Sequence, residues 1–116
     1  MDRTLEASNT NYQEQVETLL RQYIEERPLS NEVETQLIVD PYHDHFQLVN
    51  VGWLNNRRVY GCVLHIDIKD GKVWIQHNGT ERQVAEELVE LGVPKDQIVL
   101  GFHSPFRRQF TEFAVN

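Results

Sequence analysis

Two short turn signals constrain this chain more than any other feature. Asn55-Asn56 and Asp70-Gly71 stand between runs rich in β-branched and other apolar residues. Asn, Asp and Gly tolerate the positive φ that two-residue hairpin turns demand, so each dipeptide joins two antiparallel strands. The runs on either side are Phe46–Trp53, Arg57–Ile68 and Lys72–Gln76. A further strand, Val33–Asp40, enters through the turn Pro41-Tyr42-His43-Asp44. The chain therefore reads as a four-strand antiparallel meander with helices at its two ends.

The first helix is marked by Tyr12, Val16, Leu19, Leu20, Tyr23 and Ile24 at helical spacing. Thr10 with Gln13 has the form of a capping box, and Arg27-Pro28 ends the helix because a residue before proline avoids helical geometry. After the meander, Asn78-Gly79 turns the chain into a second helix, with Thr80 as its cap and Gln83 as the reciprocal partner. Its apolar stripe is Val84, Leu88 and Leu91, and Gly92 with Pro94 closes it. Ile98-Val99-Leu100 is a short closing strand. Ser104-Pro105 opens a last helical turn over Phe106–Phe113. The fold class expected is α+β: N-terminal helix, four-stranded antiparallel meander, second helix, short closing strand.

A chain of 116 residues fits one domain, expected over residues 10–116 after a polar, frayed tail at 1–9. A single cysteine, Cys62, excludes an internal disulfide and suits a reducing compartment. The start of the chain lacks an apolar signal core and no apolar run reaches membrane-spanning length. A cytoplasmic protein with no membrane partner is expected. The net charge of −7 is concentrated in residues 1–50, where ten acids face three arginines. Nucleic-acid affinity rests on neutralising phosphates, so this balance argues against autonomous DNA binding.

Hairpin register assigns the faces, since residues two apart on a strand share one side. The Asp70-Gly71 turn pairs Ile68 with Val73, Asp67 with Trp74 and Ile66 with Ile75. The Asn55-Asn56 turn pairs Val51 with Tyr60 and Val49 with Cys62. One face is then expected to hold Val49, Val51, Tyr60, Cys62, Leu64, Ile66, Ile68, Val73 and Ile75, covered by both helices. The other is expected to hold Phe46, Leu48, Asn50, Val63, His65, Asp67, Trp74 and Gln76, a mixed surface of the kind that marks a contact site.

Several ordered blocks carry a family likeness. Asp40-x-x-x-Asp44-His45-x-Gln47-Leu48-Val49-x-Val51-Gly52-Trp53 precedes Arg57-Arg58-x-Tyr60-Gly61-Cys62-Val63. His65-x-Asp67-Ile68-Lys69-Asp70-Gly71-Lys72, Asn78-Gly79-Thr80-Glu81 and Leu91-Gly92-Val93-Pro94 follow, then Gly101-Phe102-His103-x-Pro105 with Arg108. The set, spanning Tyr12–Val115, closely resembles the XisI family of fdxN-element excision controlling factors. The resemblance implies an accessory protein in programmed excision of a DNA element in cyanobacteria. Such a factor acts beside a separate recombinase and a partner called XisH, which resembles nuclease-fold proteins.

Chemistry-bearing clusters are few. His43-Asp44-His45 reads as a turn aspartate with two solvated histidines, because a metal site needs further ligands and support. No metal and no cofactor is expected. His65 and Asp67 share a face with Trp74 and Gln76, and a His–Asp pair can orient a general base. With Cys62 expected in the core, no nucleophile is placed beside them, so the cluster reads as part of a contact surface. Asn78-Gly79 lacks the glycines and lysine of a phosphate loop. Phe102–Phe110 is the densest aromatic and basic segment, of a type found at protein interfaces and on single-stranded nucleic-acid platforms. Phe102 and Phe106 are expected to pin it to the core.

Three functions remain in competition. The first is a non-enzymatic regulatory subunit that binds a protein partner of the XisH type, or a second copy of itself, through Trp74, His65, Asp67, Gln76, His103, Arg107 and Arg108. The second is a direct DNA-binding accessory factor using Arg57, Arg58, Arg107 and Arg108, which requires those arginines on one surface. The third and weakest is a small hydrolase or nuclease built on His65 and Asp67. From the charge balance, the isolated protein is predicted to bind bare duplex DNA weakly or not at all. Nonspecific binding has a Kd of roughly 10⁻⁴–10⁻⁶ M at physiological salt. Submicromolar binding by fluorescence anisotropy at about 150 mM salt would contradict the charge argument.

Overall fold

The computed structural model describes residues 11–27 and 32–116. Helix α1 spans Gln13–Glu26 and is followed by strands β1 (Val33–Asp40), β2 (His45–Leu54), β3 (Arg57–Lys69) and β4 (Lys72–Asn78). Helix α2 (Val84–Glu90), a 3₁₀ turn (Lys95–Gln97), strand β5 (Ile98–Leu100) and the short helix α3 (Pro105–Arg108) complete the chain. The α+β class stands. The five strands form one sheet in the order β1-β2-β3-β4-β5, antiparallel except for the last pair. Helix α2 carries the chain across so that β5 runs parallel to β4.

Both hairpin turns are built as the sequence requires. Asn55 and Asn56 have φ of 53° and 65°, and Asp70 and Gly71 have 52° and 79°. The cross-strand pairs Leu54–Arg57 and Lys69–Lys72 flank them. Gly92 closes α2 with φ 106°, and the Gly92 and Val93 N–H groups reach back to the carbonyls of Val89 and Leu88.

The caps differ from expectation. Thr10, Pro28 and the tail at 1–9 lie outside the described residues. The Gln13 N–H goes to Asn11 Oδ1 at 3.0 Å. The Gln13 side chain instead donates to the carbonyl of Pro41 and to Asp44 Oδ1, tying the start of α1 to the β1–β2 turn. Thr80 does not cap α2, which starts at Val84 without a side-chain cap. Its hydroxyl accepts the Arg82 N–H and donates to Asn78 Oδ1, so the Asn78–Arg82 loop organises itself. The terminal helix is shorter than expected, Pro105–Arg108, with Ser104 Oγ accepting the Arg107 N–H.

One face of the sheet carries the helices. Val16, Leu19 and Leu20 of α1 and Val84, Ala85 and Leu88 of α2 pack on Phe46, Leu48, Leu64, Ile66, Ile68, Val73, Ile75 and Ile98. Arg82 clamps the two helices together. Its guanidinium forks onto Glu87, lies 3.4 Å from Glu26 Oε1 and sits over the Tyr23 ring. Among the described residues, no helix is long and apolar enough to cross a membrane.

The face assignment is correct for β3 from Leu64 onward and for β4, and it is reversed for most of β2. A β-bulge is the cause. Val49 pairs with Cys62 but Leu48 pairs with Leu64, so Val63 is one residue more than β2 can match. Val63 and Leu64 are both buried in the core. Upstream of the bulge the alternation inverts: Cys62 is exposed and Tyr60 is 71% exposed, whereas Phe46 and Leu48 are sealed under the helices. A bulge obeys no turn signal in the chain, because it answers to packing across the sheet. Phe46→Ala is accordingly predicted to cost about 3–5 kcal/mol of stability. Cys62→Ala should stay within about 0.5 kcal/mol of the native protein. Chemical denaturation of both variants checks the pair, and a reversed order would restore the unbulged register.

Candidate functional site

The sheet face away from the helices holds a cluster assembled by three strands. The bulged register sets His45 of β2 opposite Asp67 of β3. Asp67 in turn faces Trp74 of β4, and His65 lies two residues before it on the same side. Asp67 is 8% exposed, the buried charged residue of the described chain. A buried carboxylate is tolerated when its oxygens are hydrogen-bonded, and all the partners are present. His45 Nδ1–H and His65 Nε2–H both donate to Asp67 Oδ1, at 2.8 and 2.9 Å. Gln76 Nε2 donates to Oδ2 at 3.2 Å.

A second bulge makes the last contact. Ile66 pairs with Ile75 but His65 pairs with His77, leaving Gln76 as the extra residue of β4. Its amide is thereby aimed at Asp67. The start of the C-terminal segment packs closely against it: a Cβ added at Gly101 would stand 2.5 Å from Gln76 Oε1.

Electrostatics follow from these bonds. Burial by itself would push the Asp67 carboxyl up, but the bonds from His45, His65 and Gln76 outweigh it and hold its pKa below the ordinary 3.8. The bond to Asp67 raises the pKa of His45 above the ordinary 6.5, against the opposing effect of desolvation. The expectation of two solvated histidines in the first turn is thus corrected for one of them. His43 is exposed and donates to Asp40 Oδ2, while His45, at the start of β2, is committed to Asp67. The sequence signal for His45 was available, since it lies in the same block as His43, but without the bulge it would have faced Ile66.

The candidate contact residues divide. Trp74 is half-buried between two cations, Lys69 Nζ at 4.5 Å and the Arg108 guanidinium at 5.1 Å from its ring centroid. Arg108 also donates to the carbonyls of Leu100, His103 and Val115. It fastens the C-terminal segment, which bridges β5 through Val99 and Ala114. Trp74 and Arg108 are therefore held in internal contacts. Arg107 is exposed beside Phe106 and Phe110, which are 68% and 73% exposed and meet edge to face at 5.3 Å. The expectation that Phe102 and Phe106 pin the tail is wrong for both, since Phe102 too is exposed; Phe113 packs against the core instead. His103 and Phe102 line a cleft of about 210 Å³ with Arg82 and Phe113.

Arg57 and Arg58 sit at the β2–β3 hairpin tip, with Arg58 over the Trp53 ring. About nine residues of β3, or roughly 30 Å, separate Arg58 from Asp67, whose neighbour Trp74 carries Arg108. The four arginines do not form one surface. Cys62, placed in the core by the sequence reading, shares the open face with His65. Its thiol donates to the Leu64 carbonyl, and burial pushes its pKa up, the reverse of what an activated nucleophile needs.

The comparisons with known proteins agree with this fold. The family model for the XisI protein matches residues 6–115. A XisI-like protein from Anabaena variabilis, solved by crystallography, is 50% identical with a TM-score of 0.85, covering 90% of this chain and 96% of its own. The fdxN element excision controlling factor XisI from the same organism is 32% identical with a TM-score of 0.76, covering 92% of this chain and 97% of its own. No curated protein matches the sequence.

The two shifts at the cluster define a pH window. Asp67, depressed when folded, stabilises above the ordinary carboxylate value and loses that contribution as pH falls through its folded pKa. His45, raised when folded, stabilises fully below 6.5 and loses its contribution as pH rises through its folded pKa. Between those limits both are in force. His45→Gln is predicted to lower Tm more at about pH 5.5 than at about pH 9. An equal loss at the two pH values would remove the charge pairing as its cause.

Proposed function

This chain belongs to the XisI family, and on that footing we propose that it is a non-enzymatic accessory factor that helps to control excision of a DNA element by binding another protein. The partner is an XisH-type protein, and a separate recombinase performs the strand chemistry. The related Anabaena variabilis protein that is an excision controlling factor by name supports the role.

The observation that carries the protein-binding reading is the C-terminal aromatic pair. Large apolar side chains in a folded monomer are usually covered, and aromatic and arginine side chains are the types most enriched at energetic hot spots of interfaces. Phe106, Arg107 and Phe110 project from one short helix and the turn after it, on a base fastened by Arg108. Ile38, Trp53 and Tyr60 are also left exposed on β1–β3, with Trp53 under Arg58. The net charge of −7 and the separation of Arg57–Arg58 from Arg107–Arg108 weigh against direct DNA binding. The raised Cys62 pKa and the engagement of His65 with Asp67 weigh against hydrolysis.

The double variant Phe106→Ala/Phe110→Ala, and Arg107→Ala separately, are to be measured for capture of the XisH-type partner. A hot spot of about 2 kcal/mol corresponds to roughly a thirtyfold weaker Kd, which is the expected loss for the double variant. Its thermal stability should be nearly unchanged, because the two rings are solvent-exposed. Native-like capture by both variants would remove the tail as the contact.

A further inference from the structure

Two imidazoles and one carboxylate converge on the open face with their nitrogen and oxygen atoms within 4.8 Å of one another. We propose that His45 Nδ1, His65 Nε2 and Asp67 Oδ1 form a binding site for a divalent transition-metal ion of the zinc class. This inference is independent of the partner reading.

The ligand spacing is close to what an ion demands. Ligand atoms bound at about 2.0–2.1 Å to one centre stand no more than about 4.2 Å apart. In the tetrahedral arrangement zinc prefers they stand about 3.4 Å apart, so the widest pair closes by up to about 1.4 Å while the 2.8 and 2.9 Å contacts to Asp67 Oδ1 open, movements made by rotating the two imidazole side chains. The hydrogens now directed at Asp67 Oδ1 are what the ion replaces. Each imidazole then carries its hydrogen on the other ring nitrogen or gives it to solvent, and the carboxylate remains ionised. Mixed imidazole and carboxylate donors suit zinc and its neighbours, whereas magnesium and calcium take oxygen ligands.

The surroundings have the form of a supported site. The ligands stand on two central strands, so backbone hydrogen bonding holds them in place. Gln76 Nε2 binds the other Asp67 oxygen and so orients the ligating one, as outer partners do at metal centres. Three protein ligands leave at least one coordination position open. The His45 side chain is 55% exposed, so that position faces solvent and is completed by water. His43 and His77 lie nearby in sequence or pairing but outside the cluster, which makes them internal controls.

The test uses the untagged full-length chain at neutral pH, titrated with Zn²⁺ by calorimetry and with Co²⁺ by visible absorption. One ion per chain is expected, with micromolar or tighter affinity. His45→Ala and His65→Ala should each weaken it at least about tenfold, and Gln76→Ala about 10–100-fold. His43→Ala and His77→Ala should bind as the native chain does. Histidine ¹⁵N spectra of the native protein provide a reading that needs no variant: zinc should shift His45 Nδ1 and His65 Nε2 selectively. Absence of stoichiometric binding, retention of affinity in both the His45 and His65 variants, loss in the His77 variant, or zinc-induced shifts confined to other histidines would each overturn the assignment.

Discussion

One extra residue in β3 governs this structure. Val63 has no counterpart in β2, and the half-sheet beyond it is turned over as a result. Phe46 and Leu48 are thereby brought under the helices, where the core needs their volume. In the same movement His45 is brought opposite Asp67. Without the bulge, continuing the pairing from Val49–Cys62 would set Gln47 against Leu64 and His45 against Ile66. The core would lose an aromatic side chain, and the carboxylate would lose a partner. At the bulge the Val63 carbonyl accepts the N–H of Gly79, just past the end of β4, at 2.8 Å. Packing and polar chemistry thus depend on the same irregularity.

Asp67 is the electrostatic centre of the open face. A carboxylate so nearly withdrawn from water needs its hydrogen bonds, because an unpaired buried charge is among the costliest features a fold can carry. Three side chains from three strands supply them, and each is aimed by the register of its own strand. The second bulge, at Gln76, brings in the third. The arrangement couples strand pairing to charge: a slip in the β2–β3 hairpin would cost the acid His45, and a slip in the β3–β4 hairpin would cost it Gln76.

The C-terminal segment finishes the opposite edge of that face. Arg108 lies over Trp74 and binds three carbonyls, while Ala114 bridges alongside β5 in parallel with Val99. Arginine suits this work because its planar head stacks on a ring while its hydrogens point outward in several directions. Among the described residues the neighbouring Arg107 makes no such set of contacts, and it is exposed with Phe106 and Phe110. Two adjacent arginines that look equivalent as letters therefore have different occupations.

By itself the sequence determined the elements and their order. Asn55-Asn56, Asp70-Gly71 and Gly92 announce conformations that few other residues accept, and the stripe Val16, Leu19 and Leu20 follows the helical period. Those signals are local, so they are legible without the fold. It also determined the family, through ordered blocks spread over the chain. The tertiary structure alone decided which face each residue of β2 occupies, because a bulge is chosen by the volume that the two helices must cover. It decided that His45, twenty-two residues away from Asp67, is bound to it. It separated Arg107 from Arg108 and turned Phe106 outward, since only the folded chain shows which carbonyls and rings lie within reach. Pairing across strands is a property of distance in space, and an error of one residue in register changes the side of the sheet on which every later side chain falls.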